Sequence, residues 1–202
     1  MVDVLIQGLG LSSWVELVAV VLSIVYVVLA AKENLWCWPA ALISTALYAW
    51  LFFDVNLKQD SLLQVYYLCM AVYGWYMWSN TSRHTEVRIQ RWSLRTHLIL
   101  IAATLCVSLV SGYVAKTYFS SDYPYLDGLT TWFAVLTTYM VARKVLENWW
   151  YWVVIDIVSV YLYWQKGLYP TVGLYLVYVI IAVAGYFNWK KRWLTHATST
   201  DQ

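Results

Sequence analysis

Charge is scarce in this chain. Lys, Arg, Asp and Glu make up 12 % of its 202 residues, against about 25 % in an average soluble protein. So little charge does not cover a globule of this size in water. With 62 % hydrophobic residues and a mean hydropathy of +0.58, the composition excludes the soluble classes. The net charge of +2 is too small for a nucleic-acid footprint. Cysteine is rare as well. Cys37, Cys69 and Cys106 stand in separate apolar runs, with no CxxC pair and no Cys/His cluster, which excludes a disulfide framework and a zinc site. No GxxxxGK[ST], HExxH or GxSxG occurs, so nothing points to nucleotide-driven pumping or to a hydrolase. His84, His97 and His196 lie at or beyond the ends of apolar runs, without a metal partner at helical spacing. They read as interfacial or loop histidines. No metal, no cofactor and no enzymatic activity are expected.

Apolar runs and aromatics are abundant instead. A membrane-spanning helix needs roughly 20 mostly apolar residues. Seven candidates run from Ser13 to Ala31, Leu35 to Phe53, Ser61 to Trp78, His97 to Thr117, Leu129 to Ala142, Trp149 to Gln165 and Pro170 to Asn188. The first is too long for a signal-peptide core and lacks a basic leader. Ten of the 13 Lys and Arg residues fall on one side of these spans: Lys32, Arg83, Arg88, Arg91, Arg95, Arg143, Lys144, Lys190, Lys191 and Arg192. Lys58, Lys116 and Lys166 fall on the other. The positive-inside rule then puts the N terminus outside and the C terminus in the cytoplasm.

The chain also repeats itself. Glu33-Asn34-Leu35-Trp36-Cys37-Trp38 matches Glu147-Asn148-Trp149-Trp150-Tyr151-Trp152 at an offset of 114. Gly74-Trp75-Tyr76-Met77-Trp78 matches Gly185-Tyr186-Phe187-Asn188-Trp189 at 111, and Ser12-Ser13-Trp14 resembles Thr130-Thr131-Trp132 at 118. On this alignment the second copy is three residues shorter between its first two motifs. Each copy holds three spans and a lone fourth lies between them, so the second copy enters the membrane with the polarity of the first. The expected fold is an all-α polytopic membrane protein of seven helices, 3+1+3 with parallel three-helix repeats. Residues 1–79 form the first repeat, 80–120 the basic loop and linking helix, and 121–202 the second repeat and basic tail. Parallel repeats of this kind occur in secondary transporters, with the substrate held at the repeat interface.

Ionisable residues inside spans are costly and point to function. Asp156 lies near the middle of the sixth span, and Glu16 about one turn into the first. Gln64, in the third span, brings an amide that seeks partners. Ser44, Thr45, Thr130, Thr131, Thr137 and Thr138 most simply bond back to their own helices. Of 37 aromatics, 14 are Trp and 18 Tyr. Interfacial belts absorb many of them. Tyr26, Tyr48, Tyr67, Tyr139, Tyr161, Tyr163, Tyr175 and Tyr178 sit away from the span ends or near the inner one, where buried phenols need partners. Aromatic faces stack on flat rings and attract cations. With a carboxylate nearby, they suit a small, flat, positively charged ligand.

These motifs resemble the Pnu family of bacterial vitamin transporters. The likeness rests on Leu146 to Trp152, Asp156, Lys166-Gly167-Leu168-Tyr169 and Gly185 to Trp189. In the first half it rests on Trp38-Pro39, Asp60, Leu63-Gln64 and Gly74-Trp75. It spans about Trp14 to Trp189. The resemblance implies a fold similar to the SWEET sugar carriers, residence in the inner membrane, and facilitated diffusion with a cytoplasmic kinase trapping the product. It implies a substrate among nicotinamide riboside, thiamine and riboflavin, and a possible homo-oligomer. It also implies a lining formed by Gln64, Tyr67, Asp156 and the aromatic region of Trp149 and Trp152. Trp132, Tyr139 and Tyr175 join that lining as aromatic candidates, with Glu16, Thr138 and Tyr163 as supporting or coupling groups. Two departures from the nicotinamide riboside type point to thiamine. Leu136-Thr137-Thr138 stands before Arg143-Lys144 where that type often has a Gln, and the chain is short. Nicotinamide riboside is the alternative.

Two other classes compete with transport. A membrane scaffold would show small-xxx-small stripes, but glycine is scarce and no span holds GxxxG. A membrane enzyme acting on a lipid or isoprenoid head would need clustered acids, and none occur.

Overall fold

The computed structural model describes residues 14–54, 58–79, 88–118 and 122–199. Ser12, Ser13, Arg83 and His84 lie outside the described residues, as do the side chains of Asp60 and His196. Seven helices follow one another: α1 (Trp14–Ala31), α2 (Cys37–Asp54), α3 (Lys58–Ser79), α4 (Leu94–Tyr118), α5 (Pro124–Ala142), α6 (Asn148–Gln165) and α7 (Tyr169–Ser199). Among the described residues there is no strand beyond an isolated bridge between Gln90 and Val145. The chain divides into two compact units, Met1–Arg88 and Ile89–Gln202. In the first, α1 packs on α2 and α2 on α3. In the second, α4 packs on α5, α5 on α6 and α6 on α7.

By length and composition, α1, α4 and α7 are each apolar enough to cross a membrane. The other four carry more Trp, Tyr and polar side chains, yet none is shorter than 18 residues, about 27 Å of helix. Two ends differ from the sequence expectation by five residues or more. Helix α5 starts at Pro124, five residues before Leu129, because Pro suits the first turn and Asp127 complements the exposed N–H groups there. Helix α7 runs on to Ser199. No Gly or Pro follows Gly185 in it, and Lys190, Lys191 and Arg192 are good helix formers. On α4, Leu98, Ile99, Leu105, Leu109, Val110 and Val114 are exposed, an apolar face suited to lipid.

The helix ends reveal the register of the repeat. Ala31 becomes Ala142, Cys37–Asp54 becomes Asn148–Gln165, and Lys58 becomes Tyr169, each 111 positions on. The turns obey the same offset. Glu33 (φ 56) and Lys144 (φ 51) occupy the left-handed region. The next residue closes the helix end in each case: the Asn34 N–H donates to Leu29 O at 2.9 Å, and the Val145 N–H to Met140 O at 2.9 Å. These are the six-to-one bonds of a Schellman turn, made here without the usual glycine.

One offset therefore holds throughout, and the expected three-residue shortening is absent. Trp38 corresponds to Trp149, not to Trp152. The two Trp-rich segments match in more than one frame, and the sequence pairing took the wrong one. Nor does Trp132 correspond to Trp14: Trp14 opens α1, whereas Trp132 lies inside α5.

Packing explains the register. Trp38 meets Trp78 edge-on at 5.4 Å and 89°, and Trp149 meets Trp189 at 5.4 Å and 88°. Each of these indoles lies on a glycine of the third helix of its repeat. A Cβ added at Gly74 would collide with the Trp38 ring, and one at Gly185 would stand 2.8 Å from Trp149. A smaller version joins α4 to α5. A Cβ on Gly128 would lie 2.9 Å from Ser108 O, and the Trp132 indole N–H donates to the Ser111 hydroxyl at 3.0 Å.

Gly74→Ala and Gly185→Ala are each expected to cost about 1–3 kcal/mol through overpacking, read as a fall of several degrees in the melting temperature of the purified protein. Unchanged melting in both would refute the ring-on-glycine contact.

Candidate functional site

Helix α6 turns one stripe toward α7. Trp149, Trp152, Asp156, Ser159 and Tyr163 recur in steps of three and four, which puts them on one helix face. Trp149, Asp156 and Ser159 are buried, while Trp152 and Tyr163 are half-buried. At one end of the stripe Trp149 is seated on Gly185. At the other the Tyr163 ring stacks on Tyr175 of α7 at 5.2 Å and 16°. Tyr178 meets Tyr175 edge-on at 5.9 Å.

Asp156 lies between these ends with 3 % of its surface exposed. It is within electrostatic reach of Tyr175. Among the described residues no ion pair or hydrogen bond reaches its carboxyl. Two further buried polar atoms lack partners nearby in the chain, the Trp149 indole N–H and the Asn148 carbonyl oxygen. The Asn148 amide group donates to Val145 O at 2.6 Å. An acid inside a spanning helix is costly unless a counter-charge or a hydrogen-bond donor meets it. The stacked phenols offer a face to a flat ring, and the carboxylate offers charge to a cation.

The first unit places neutral groups where the second places these. With the offset of 111, Thr45 holds the position of Asp156, Gln64 that of Tyr175, and Tyr67 that of Tyr178. Gln64 and Tyr67 are half-buried on α3, and the Tyr66 and Tyr67 rings lie 5.5 Å apart. Of the lining candidates chosen from the sequence, Gln64 and Tyr175 are the pair that falls on matching positions of the two repeats, which the sequence pairing had hidden.

The remaining candidates lie elsewhere. Trp132 is bound to Ser111 on α4. Tyr139 is exposed beside Trp92, with ring centroids 6.4 Å apart. The structure does not bring these two to Asp156. Thr138 is buried and its hydroxyl donates to Ala134 O at 2.8 Å, the back-bonding expected of it. Glu16 is half-buried in the first turn of α1. Ser159 escaped the sequence reading. Its signal was the three-residue step from Asp156 within a run of buried positions. Among the described residues no group of three His, Cys, Asp or Glu side chains is placed to hold a metal ion.

A family model described as "Nicotinamide mononucleotide transporter" matches residues 13–191. The chain is 25 % identical to the nicotinamide riboside transporter PnuC of Escherichia coli K12, over 88 % of this chain and 85 % of that protein. It is 28 % identical to the PnuC of Neisseria mucosa, over 89 % and 73 %. It is 26 % identical to the riboflavin/roseoflavin transporter RibM of Streptomyces davaonensis, over 87 % and 84 %. Its fold is similar to a crystal structure of the vitamin B3 transporter PnuC, with a TM-score of 0.76 at 24 % identity, over 96 % of this chain and 87 % of the other.

The isolated acid is testable without any ligand. Asp156→Leu is expected to raise the stability of the ligand-free protein by about 1–2 kcal/mol, because it removes an uncompensated buried polar group. Thermal unfolding reads the sign. A comparable loss of stability would mean that a partner holds the carboxyl.

Proposed function

The chain belongs to the nicotinamide mononucleotide transporter family, and from that premise we propose that it carries nicotinamide riboside across the inner membrane by facilitated diffusion. The observation that carries this reading is the buried Asp156 on the same α6 face as the Tyr163–Tyr175 stack. Nicotinamide riboside is a flat pyridinium cation. Stacking on a phenol satisfies its ring, and a carboxylate satisfies its charge. Relatives named for this substrate support the choice. The sequence preference for thiamine, another flat cation, finds no such support.

The reading carries further parts. The crossings follow a 3+1+3 order, with the N terminus outside and the C terminus in the cytoplasm. Gln64, Tyr67, Trp149, Trp152, Asp156 and Tyr175 handle the substrate, and Tyr163 supports them. Transport runs down the substrate gradient, and a cytoplasmic kinase that phosphorylates the product keeps it flowing. Assembly into a homo-oligomer is compatible with all of this.

A riboflavin-type substrate is the second reading, favoured by the relative named for riboflavin and roseoflavin. An isoalloxazine ring is flat but uncharged, so Asp156 separates the two. In calorimetric titrations of the purified protein, nicotinamide riboside is expected to bind, and Asp156→Asn to weaken it by about tenfold, the equivalent of one lost charge contact. Riboflavin binding that Asp156→Asn leaves unchanged, with no response to nicotinamide riboside, would overturn the cation reading.

The mode of transport is tested separately. Proteoliposomes with no trapping enzyme are expected to equilibrate nicotinamide riboside without accumulating it, with or without a pH gradient. Accumulation driven by the gradient would show proton coupling and defeat simple uniport.

A further inference from the structure

The buried hydroxyls of this chain are not alike. Among the described residues, five serine and threonine side chains are buried: Ser44, Ser108, Thr137, Thr138 and Ser159. Four of them donate to a backbone carbonyl. Ser44 reaches Ala19 O on α1 at 2.8 Å. Ser108 bonds back to Thr104 O at 2.7 Å, Thr137 to Phe133 O at 2.6 Å and Thr138 to Ala134 O at 2.8 Å. A hydroxyl in an apolar helix is ordinarily satisfied in this way. Ser159 is the exception. It is 2 % exposed, and among the described residues no hydrogen bond reaches its hydroxyl. The Ile155 carbonyl stands four residues back, where Ser108, Thr137 and Thr138 find their partners, and Ser159 does not take it.

The neighbours of Ser159 give its hydroxyl a meaning. Asp156 comes three residues before it and Tyr163 four after, steps of about 4.5 and 6 Å along α6, all on the face turned to α7. Residues three apart on a helix have Cβ atoms about 5–6 Å apart. Asp156 and Ser159 are therefore adjoining polar groups, both buried, and neither is hydrogen-bonded among the described residues. One turn further on, the Tyr163 ring stacks on Tyr175.

Packing does not account for a serine here. At the matching position of the first unit, 111 residues earlier, stands Tyr48, with Thr45 in the place of Asp156. This point of the fold thus accepts a large side chain. A serine can also serve close helix contact while bonded to its own helix, as Ser108 does where Gly128 approaches its carbonyl.

The two groups differ in what they ask of a ligand. A carboxylate only accepts hydrogen bonds, whereas a hydroxyl both donates and accepts. A bare ring cation satisfies Asp156 and leaves Ser159 without a bond in apolar surroundings, which is costly. A ligand hydroxyl satisfies both, since it donates to the carboxylate and accepts from the serine. A flat ring held on the Tyr163–Tyr175 stack would carry a hydroxylated arm one to two turns along α6, to these two residues.

We propose that Ser159 is a specificity-determining residue: its hydroxyl, beside the Asp156 carboxylate, binds a sugar or sugar-alcohol hydroxyl and so favours a flat ring that carries such an arm over the bare ring. This role rests on the α6 face being the substrate site proposed above.

Calorimetric titration of the purified full chain tests it with two ligands. One is nicotinamide riboside. The other is methylnicotinamide, the same pyridinium cation with a methyl group in place of the ribose, read by competition. The wild type is expected to bind nicotinamide riboside at least about tenfold more tightly, because a site built around a hydroxyl rejects the analogue that lacks it. Ser159→Ala is expected to weaken nicotinamide riboside about three- to tenfold, the equivalent of one neutral hydrogen bond, and to leave methylnicotinamide unchanged. Asp156→Asn weakens both cations. Equal loss for both ligands in Ser159→Ala, or no loss for either, overturns the proposal. Where methylnicotinamide competes too weakly to measure, the change for nicotinamide riboside alone decides.

Two further measurements separate this role from the substrate reading. Thermal unfolding of the ligand-free protein needs no substrate. Ser159→Ala is expected to leave the midpoint unchanged or raised, and a fall of several degrees would show that the hydroxyl serves the fold instead. If nicotinamide riboside does not bind the wild type, that reading fails, and riboflavin is compared with lumiflavin, which has the same ring and a methyl group in place of the sugar-alcohol arm. A loss in Ser159→Ala for riboflavin alone then upholds the role of Ser159. Equal loss, no loss, or no binding by either flavin rejects it.

Discussion

A tryptophan seated on a glycine organises each three-helix repeat. Trp38 on Gly74 and Trp149 on Gly185 bring the second and third helices of their repeats so close that no Cβ fits at the glycine. A large flat ring buried against bare backbone leaves little freedom to slide or rotate. The edge-on contacts with Trp78 and Trp189 then secure the far side of each indole. Once Trp149 is seated, helical periodicity turns Asp156 and Tyr163, two and four turns on, toward α7. The position of the candidate site follows from that packing contact.

On this shared scaffold the two repeats differ in chemistry. Thr45 and Gln64 in the first stand where Asp156 and Tyr175 stand in the second. The α5–α6 turn gains Glu147 and Tyr151 where the first unit has Trp36 and Ala40. Apart from Tyr175, where a phenol replaces an amide, each difference adds polarity to a buried or half-buried position, which packing alone does not favour. A fold that keeps such groups does so for a purpose other than its own stability. The departures from the shared pattern mark the places where function is to be sought.

Much of this was legible in the sequence, to differing depths. All seven helices could be read from apolar runs, because hydropathy needs no knowledge of neighbours. The two ends that moved did so for local reasons, a proline able to open a helix and a basic tail able to continue one. The repeat was visible but its register was not. Trp36 and Trp38 share the spacing of Trp150 and Trp152, and only the contact with glycine says that Trp38 pairs with Trp149 instead. Asp156 stood out through the cost of an acid at that depth. Trp132 and Tyr139 were chosen for being aromatic, and nothing in a one-dimensional pattern shows that one turns to Ser111 and the other to Trp92. His97 read as a loop histidine because the groups it meets, Glu147 and Tyr151, lie some 50 positions away. The substrate was read as thiamine from residues before Arg143, and named relatives moved that choice to nicotinamide riboside.

By itself the sequence determined an all-helical membrane chain built on a duplicated unit, with an acid at one span's centre and a heavy aromatic load. Composition, periodicity and the cost of charge in lipid act on each segment separately, so they can be read in order along the chain. Only the tertiary structure decided which tryptophan sits on which glycine, that Asp156 shares a face with a stacked tyrosine pair, and that Glu147 meets Arg91 and Trp92. Those outcomes depend on distances between side chains far apart in the chain, and packing sets such distances only once every helix is in place.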